Sequence, residues 1–361
     1  MLNSSAPKRY KSLSYLACIK HNILFISIMC IIRIVRSQLK NQPTLVDLYA
    51  GAGLFSHAFA AEGFQVIRAV EIDRVAAATY SRNLGAHVEV ADVLASKPHG
   101  HCEVLAAGSP CQGFSTLGKR RHDDPRNYLS LDVLRWAKVL QPRVIVIENV
   151  SAFLNAPVWE RLAAGLKELD YEVSASVLNA YEFGVPQNRL RSFTFASRAG
   201  MPIVKRLKTP RLKDVRQAWD GLSATPDGSN HHYAPQPSEL ALARMRVIRP
   251  GGDKRDVMRY APHLAPPSWW RLRCQVTDVW GRMEWDKPSN TIRTALLNPS
   301  KGRYIHPEQH RVISLREAAR LHSIPDSWSF AGLPTQIARQ IGNSVPPSMG
   351  RAVARAVYAA L

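Results

Sequence analysis

Cys111 sits in Gly108-Ser-Pro-Cys-Gln-Gly-Phe-Ser115, directly after the apolar run Val104-Leu-Ala-Ala107. Such a run reads as a short buried strand, and Gly108 and Pro110 end it abruptly. Ligands of α/β sheets bind at the carboxyl ends of the strands. A thiol there can act as a nucleophile, whereas a cysteine among apolar neighbours is an inert small hydrophobe. Glu148 is the second candidate: it ends the run Val144-Ile-Val-Ile147 and precedes Asn149-Val150. A carboxyl at the tip of a buried strand is partly desolvated, which raises its pKa and lets it hold a proton. A capping or salt-bridge acid is the plainer alternative. The third is the pair Arg189 and Arg191 in Gly184-Val-Pro-Gln-Asn-Arg-Leu-Arg191. Alternate residues of a strand face one side, and two guanidiniums there suit anionic or carbonyl oxygens.

A second constellation precedes these. Thr44-Leu-Val-Asp-Leu-Tyr-Ala50 has a buried-strand pattern, Gly51-Ala-Gly53 follows, and Leu54 to Gly63 reads as a helix. Strand, glycine turn and helix open a nucleotide-binding unit, because glycines admit a ligand to the backbone and the helix start offers free N–H groups. The next strand, Gln65 to Val70, ends in Glu71-Ile-Asp73, and a third, His87 to Ala91, ends at Asp92. An acid about 20 residues after the glycines suits a ribose diol. Asp92, on the same sheet edge, could accept a bond from an adenine amino group. Ordinary loop acids are the alternative for all three.

These groups require a sheet whose strands end on one edge. Helices over Leu129–Leu140, Val158–Leu169, Leu315–Leu321, Gln336–Ile341 and Ser348–Leu361, with strands Tyr171–Val177 and Ser192–Ala196, would complete it. Ser314 with Glu317 forms a capping box. Leu117 to Asn127 is basic and aperiodic, and reads as a loop able to close over a phosphate backbone. Between 196 and 310 the chain is rich in Pro and Gly and carries 20 Lys/Arg against 10 Asp/Glu. It also holds Trp219, Trp269, Trp270, Trp280 and Trp285. Basic residues among aromatics suggest a nucleic-acid reader. The tryptophans could equally be the core of a small irregular domain, and the two readings are compatible.

The whole chain has 48 Lys+Arg against 28 Asp+Glu, a formal charge of +20 in 361 residues, which calls for a polyanionic partner. Five widely spaced cysteines (Cys18, Cys30, Cys102, Cys111, Cys274) form no zinc pattern and fit a reducing, cytoplasmic compartment. Residues 1–42 stand apart. Their apolar run Ile23 to Ile32 is too short for a membrane span, which needs roughly 20 residues. They read as an extension outside the fold, with a membrane anchor as the alternative.

The blocks DLYAGAG (47–53), GSPCQGFS (108–115), ENV (148–150), QNRLR (187–191), REAARLHSIPD (316–326) and GNSVPP (342–347) occur in this order. Over roughly residues 44–361 the chain resembles the DNA (cytosine-5) methyltransferases of bacterial restriction-modification systems. The resemblance implies a Rossmann-like α/β methyltransferase fold: a catalytic domain at 43–196, a small irregular target-recognition domain at 197–310, and a C-terminal part, 311–361, completing the catalytic domain. It implies S-adenosyl-L-methionine as methyl donor, held by Asp47, Gly51, Gly53, Leu54, Glu71, Ile72, Asp92, Pro110 and Asn343. Cys111 would be the nucleophile, with Glu148, Arg189 and Arg191 catalytic and Gln112, Ser115, Asn149 and Gln187 around the DNA. Leu54 departs from the pattern, standing where many members have another glycine. No metal is implied. Double-stranded DNA is the expected partner, with a restriction endonuclease acting separately or an orphan methylase role, and a cytoplasmic, nucleoid-associated monomer. A tRNA methyltransferase, a catalytically dead DNA-binding regulator and an unrelated Rossmann oxidoreductase are the rival readings. The large basic insert favours DNA over tRNA, and the presence of both Cys111 and Glu148 weighs against the regulator.

Overall fold

Period-two alternation in short apolar runs gives this chain two cores, one on each face of a sheet. Leu45, Val104, Ala106, Val144 and Val146 pack into one apolar cluster, while Val46, Leu48, Leu105, Ala107, Ile145 and Ile147 pack into the other. The computed structural model describes residues 42–110, 125–207, 214–271 and 278–361, with backbone alone at 125–127. Cys111, Gln112, Ser115, most of the basic loop 117–127 and residues 1–41 lie outside the described residues.

The strands are β1 (Thr44–Leu48), β2 (Gln65–Glu71), β3 (Val88–Val90), β4 (Val104–Ala107), β5 (Val144–Val150), β6 (Glu172–Asn179) and β7 (Leu190–Ser197). They form one sheet in the order β3-β2-β1-β4-β5-β7-β6. The first five are mutually parallel, and β7 runs antiparallel to both β5 and β6. The order reverses between β1 and β4, the place where open α/β sheets bind their ligands. Helices α1 (Leu54–Ala60), α2 (Arg74–Leu84), α3 (Asp132–Leu140) and α4 (Pro157–Glu168) follow β1, β2, β4 and β5.

Between 197 and 310 the chain forms short helices α5 (Val215–Ala218), α6 (Glu239–Val247), α7 (Lys254–Tyr260) and α8 (Pro267–Arg271). It closes with α9 (Leu315–Leu321), α10 (Pro334–Asn343) and α11 (Pro347–Ala360). The expected capping box of α9 is present: Ser314 Oγ accepts the Glu317 N–H, and the Glu317 carboxylate accepts the Ser314 N–H. Phe55 and Phe59 of α1 join Met349, Val353 and Val357 of α11 on one face of the sheet. Trp136 of α3 and Leu162 and Leu166 of α4 cover the other.

Trp219, Trp269 and Trp280 are buried in a third cluster, and Trp285 packs against it. Trp270, in contrast, is 55% exposed. The tryptophans of the insert are therefore mostly its core. The same cluster continues without a break into Leu315, Leu321, Trp328, Phe330 and Ile341, and takes in Leu54 from the start of α1. Arg282 is the polar pin of the insert. Its guanidinium donates to the carbonyls of Met245, Ile248, His306 and Gln309. Burial lowers its pKa only to about 10, so it stays charged near neutrality.

Candidate active site

The glycine turn leaves β1 with Tyr49 at φ 59°, Gly51 at φ 55° and Gly53 at φ 89°. All three lie in the left-handed region, which costs a non-glycine residue about 1–3 kcal/mol. Tyr49 is held there by a hydrogen bond from its hydroxyl to the Leu129 carbonyl, 2.9 Å away. Nothing in the sequence marks a tyrosine for this conformation. A Cβ on Gly53 would come within 2.7 Å of the Tyr80 ring, whereas a Cβ on Gly51 would meet nothing within 4 Å among the described residues. Gly51 thus faces open space that a ligand can fill.

Asp47 lies beneath this turn, 1% exposed. Ser56 Oγ donates to its carboxylate at 2.6 Å, Tyr80 donates to Ser56 Oγ at 3.0 Å, and His87 Nε2 lies 2.9 Å from the Tyr80 hydroxyl. Burial, with a smaller contribution from the Glu71 charge, pushes the Asp47 carboxyl up to about 7. The folded chain therefore binds this proton more tightly than the unfolded one. The stabilisation is full at acidic pH and is lost as pH rises between 3.8 and about 7. Without ligand, the melting temperature of the unmodified chain relative to that of Asp47→Asn should fall as pH rises through this interval. Thermal melts of both proteins at pH 5.5 and pH 8 would show it, and identical slopes would refute the assignment.

Glu71 ends β2 and joins the turn to α2. Its two oxygens accept the N–H groups of Gly51 and Asp73, both at 2.7 Å. The Ile72 N–H also acts on this carboxylate. Burial raises its pKa above the usual carboxylate range. Ile72, beside it, is 65% exposed, an apolar surface at the sheet edge. Asp73 caps α2 through Val75 and Ala76. Asp92 is half-buried after β3, and its Oδ1 accepts the Leu94 N–H at 3.0 Å. Leu54 is fully packed in the third core. Asn343 is exposed at the last position of α10. That helix is tied to α2 by a buried triangle: Thr79 Oγ1 donates to Gln340, Gln340 donates to the Ala331 carbonyl, and the Ala331 N–H donates to Thr79.

Glu148 is inside β5 rather than just past it. Pairing with β4 stops at Ala107 opposite Ile147, while pairing with β7 continues through Val150 opposite Arg191. The carboxyl therefore projects over the end of β4, and a Cβ on Gly108 would lie 3.9 Å from its Oε2. Arg191 Nε stands 3.0 Å from Glu148 Oε1, an ion pair without hydrogen-bond alignment. Burial raises the Glu148 pKa, and the Arg191 and Arg189 charges oppose the rise in part. Asn149 Nδ2 donates to the carbonyl and Oγ of Ser109, at 3.3 and 3.2 Å, and so fixes the segment that leads through Pro110 to Cys111.

Three expected site residues do other visible work. Asn149 is 2% exposed and spends its amide on Ser109. Gln187 is wholly buried, donates to the Leu321 carbonyl and accepts the Ile292 N–H. Arg189 is also wholly buried, and donates to the carbonyls of Ile292, Gly342 and Ser344. Arg189 stands just before β7 and Arg191 within it, and of the two only Arg191 is ion-paired with Glu148. The partners of Arg189 lie more than a hundred residues along the chain, beyond the reach of any local pattern.

The chain has the Rossmann-like α/β fold of solved methyltransferases. A solved putative DNA modification methyltransferase encoded within an E. coli prophage shares the fold at TM-score 0.69 and 22% identity, over 88% of this chain and 99% of that one. The S. pombe Dnmt2 methyltransferase shares it at 0.61 and 17%, over 88% and 99%. Residues 44–359 match the C-5 cytosine-specific DNA methylases, and the chain belongs to that family. The Type II methylase M.HgiDII of Herpetosiphon aurantiacus is 30% identical over 87% of this chain and 94% of its own length. The Type II methyltransferase M1.HphI of Haemophilus parahaemolyticus is 31% identical over 87% and 86%. Among the described residues, no helix is long and apolar enough to cross a membrane.

Proposed function

We propose that this chain transfers a methyl group from S-adenosyl-L-methionine to carbon 5 of a cytosine flipped out of a short specific sequence in double-stranded DNA. The observation that carries this reading is Glu148, a buried carboxyl with a raised pKa, paired with Arg191 over the end of β4 where the Gly108-Ser-Pro-Cys111 segment begins. A stacked base cannot reach such a site, so flipping is required.

The residues around the glycine turn fit the methyl donor. The open space at Gly51 would admit it, the Glu71 carboxylate would accept from a ribose hydroxyl, and Ile72 would offer an apolar face to the adenine. Asp92 would take the adenine amino group, Gly53, Pro110 and Asn343 would complete the pocket, and Asp47 and Leu54 would support the turn from behind. Bound there, the donor supplies an electrophilic methyl group.

Carbon 5 of cytosine is a weak nucleophile. The Cys111 thiolate adds to carbon 6, and the ring becomes an enamine able to attack the methyl carbon. The electrons displaced onto the ring collect at nitrogen 3 and the exocyclic oxygen. Protonated Glu148 donates to nitrogen 3 and Arg191 to the oxygen. Methyl transfer would release S-adenosyl-L-homocysteine; water would then take the carbon-5 proton, the electron pair of that C–H bond would re-form the C5=C6 double bond as the C6–S bond breaks and frees the Cys111 thiolate, and nitrogen 3 would return its proton to Glu148. Arg189 adds positive potential at a distance, and Gln112 and Ser115 border the base or its phosphate. No metal is needed.

The enzyme acts as a monomer, either protecting host DNA beside a restriction endonuclease or as an orphan methylase. Its names among relatives, Type II methylase and methyltransferase, support the first role. Bisulfite sequencing of DNA from a host without cytosine methylation, expressing the chain or its Cys111→Ala form, tests the whole reading. Protected cytosines in one recurring context, absent with the alanine form, are expected; no protection by folded protein overturns it. The charge of +20 also predicts steep salt dependence. With about 6 phosphate contacts, DNA affinity should fall on the order of a thousandfold between 50 and 200 mM salt. A flat binding isotherm series would refute phosphate-dominated contact.

A further inference from the structure

Gln187, Arg189 and His322 close a ring of hydrogen bonds that joins four separate chain segments. Gln187 Nε2 lies 3.0 Å from His322 Nδ1 and also donates to the Leu321 carbonyl at 3.1 Å. His322 Nε2 lies 2.9 Å from the Ser344 carbonyl. Arg189 Nη2 donates to the same Ser344 carbonyl at 3.0 Å and to the Gly342 carbonyl at 2.8 Å. Arg189 Nη1 donates to the Ile292 carbonyl at 2.9 Å, and the Ile292 N–H returns to Gln187 Oε1 at 3.0 Å.

We propose that this ring is a positioning lock, in which Gln187, Arg189 and His322 set the turn that presents Asn343, and the root of the insert, against the strand that carries Arg191. The proposal rests on the reading of Asn343 as part of the methyl-donor pocket. Arg189 brackets Asn343 from both sides, through Gly342 and Ser344, and leaves the Asn343 side chain exposed. The turn has no slack: a Cβ on Gly342 would come within 2.3 Å of the Thr294 nitrogen. The insert returns alongside the same hairpin, with the Ser289 N–H on the Pro186 carbonyl and the Asn188 N–H on the Ser289 carbonyl. Methyl-donor pocket and insert are thus held by one pair of neighbouring side chains.

The donor pattern of the ring is fixed. Gln187 must offer its oxygen to the Ile292 N–H, so its nitrogen faces His322 Nδ1, which must accept. His322 Nε2 then carries the proton given to Ser344. A second proton on His322 would oppose the Gln187 amide, and burial with the Arg189 and Arg191 charges holds the ring neutral, well below its usual pKa. The lock therefore works unchanged across the physiological range.

Gln187→Glu keeps the shape and reverses one donor, setting a carboxylate oxygen against His322 Nδ1 and the Leu321 carbonyl. A proton on either partner repairs the bond. At pH 8 the variant should bind S-adenosyl-L-methionine at least tenfold more weakly than the unmodified chain, by calorimetry without DNA. At pH 6 the ratio should narrow to about threefold, since one repaired contact recovers part of the loss. The ratio cancels titrations common to both proteins, such as that of Asp47. His322→Phe should weaken binding at both pH values, and His322→Gln, which can still accept and donate, should restore most of it. Unaltered donor affinity with a lower melting temperature, or a pH-independent Gln187→Glu ratio, would make the ring merely structural and overturn the proposal. Should Gln187→Glu not fold, the contrast between His322→Phe and His322→Gln decides, equal affinities counting against the lock. Failure of the unmodified chain to bind the donor would instead overturn the reading of the pocket, and the lock with it.

Discussion

Cys111→Ser should abolish cytosine methylation while leaving the affinities for S-adenosyl-L-methionine and for DNA within about threefold, since neither depends on a covalent bond. The two side chains differ by one atom, so packing changes little. Their reactivity differs greatly: a thiol with a pKa near 8.5 is partly thiolate at neutral pH, whereas a serine hydroxyl needs a general base to become nucleophilic. Nothing in the proposed reaction supplies such a base at that step. Methyl transfer from a labelled donor to duplex DNA measures the effect directly. A trapping experiment sharpens it: a cytosine analogue that cannot lose its carbon-5 substituent should form a denaturation-resistant complex with the unmodified enzyme and none with the variant. Comparable methylation by the serine form would end the covalent mechanism.

Glu148→Gln is the second large effect. Glutamine fills the same space and can donate a neutral hydrogen bond, but it cannot hand a proton to ring nitrogen 3. General acid groups contribute about 10²–10⁴ in rate, and kcat should fall by an amount in that range. The Michaelis constant for DNA should move far less, because the lost interaction strengthens only as charge develops. The pH profile carries a separate signature. Burial raises the Glu148 pKa, so the protonated form is depleted as pH climbs past the folded value. In the unmodified enzyme this produces a loss of kcat on the alkaline side; in the glutamine variant that limb should vanish. An unchanged alkaline limb would assign the titration to another group.

The sheet was legible because its strands are short apolar runs punctuated by glycine, proline or an acid. Thr44–Leu48, Val104–Ala107 and Val144–Ile147 each announce themselves this way. Glu71 and Glu148 were legible for the same reason, as charged residues at the ends of such runs. The extension of β5 through Val150 was not, since it depends on antiparallel pairing with β7, a partner more than forty residues away in the chain. The left-handed Tyr49 gave no sign, because glycine is the residue that sequence reading associates with that conformation. The serine, tyrosine and histidine linked to Asp47 were likewise unremarkable as residues. Gln187 and Arg189 gave no sign of their hydrogen-bond partners either. Their spacing speaks of a strand, while their hydrogen bonds run to Ile292, Leu321 and Gly342, which only the closed fold brings near.

The continuous third cluster has a consequence for anyone who wishes to transplant sequence preference between enzymes of this kind. Trp219, Trp269 and Trp280 share their packing with Leu315, Leu321, Trp328 and Ile341, so among the described residues the core of the insert is continuous with that of the C-terminal part. A chimera spliced at 197 and 310 would split that interior between donor and recipient, leaving mismatched shapes on both sides of the seam. Grafts that also import residues up to about 341, or that redesign only exposed positions such as Trp270 and Tyr260, keep the interior whole. Natural exchange of recognition segments would face the same geometry, so viable crossovers should cluster outside the stretch that spans these shared contacts.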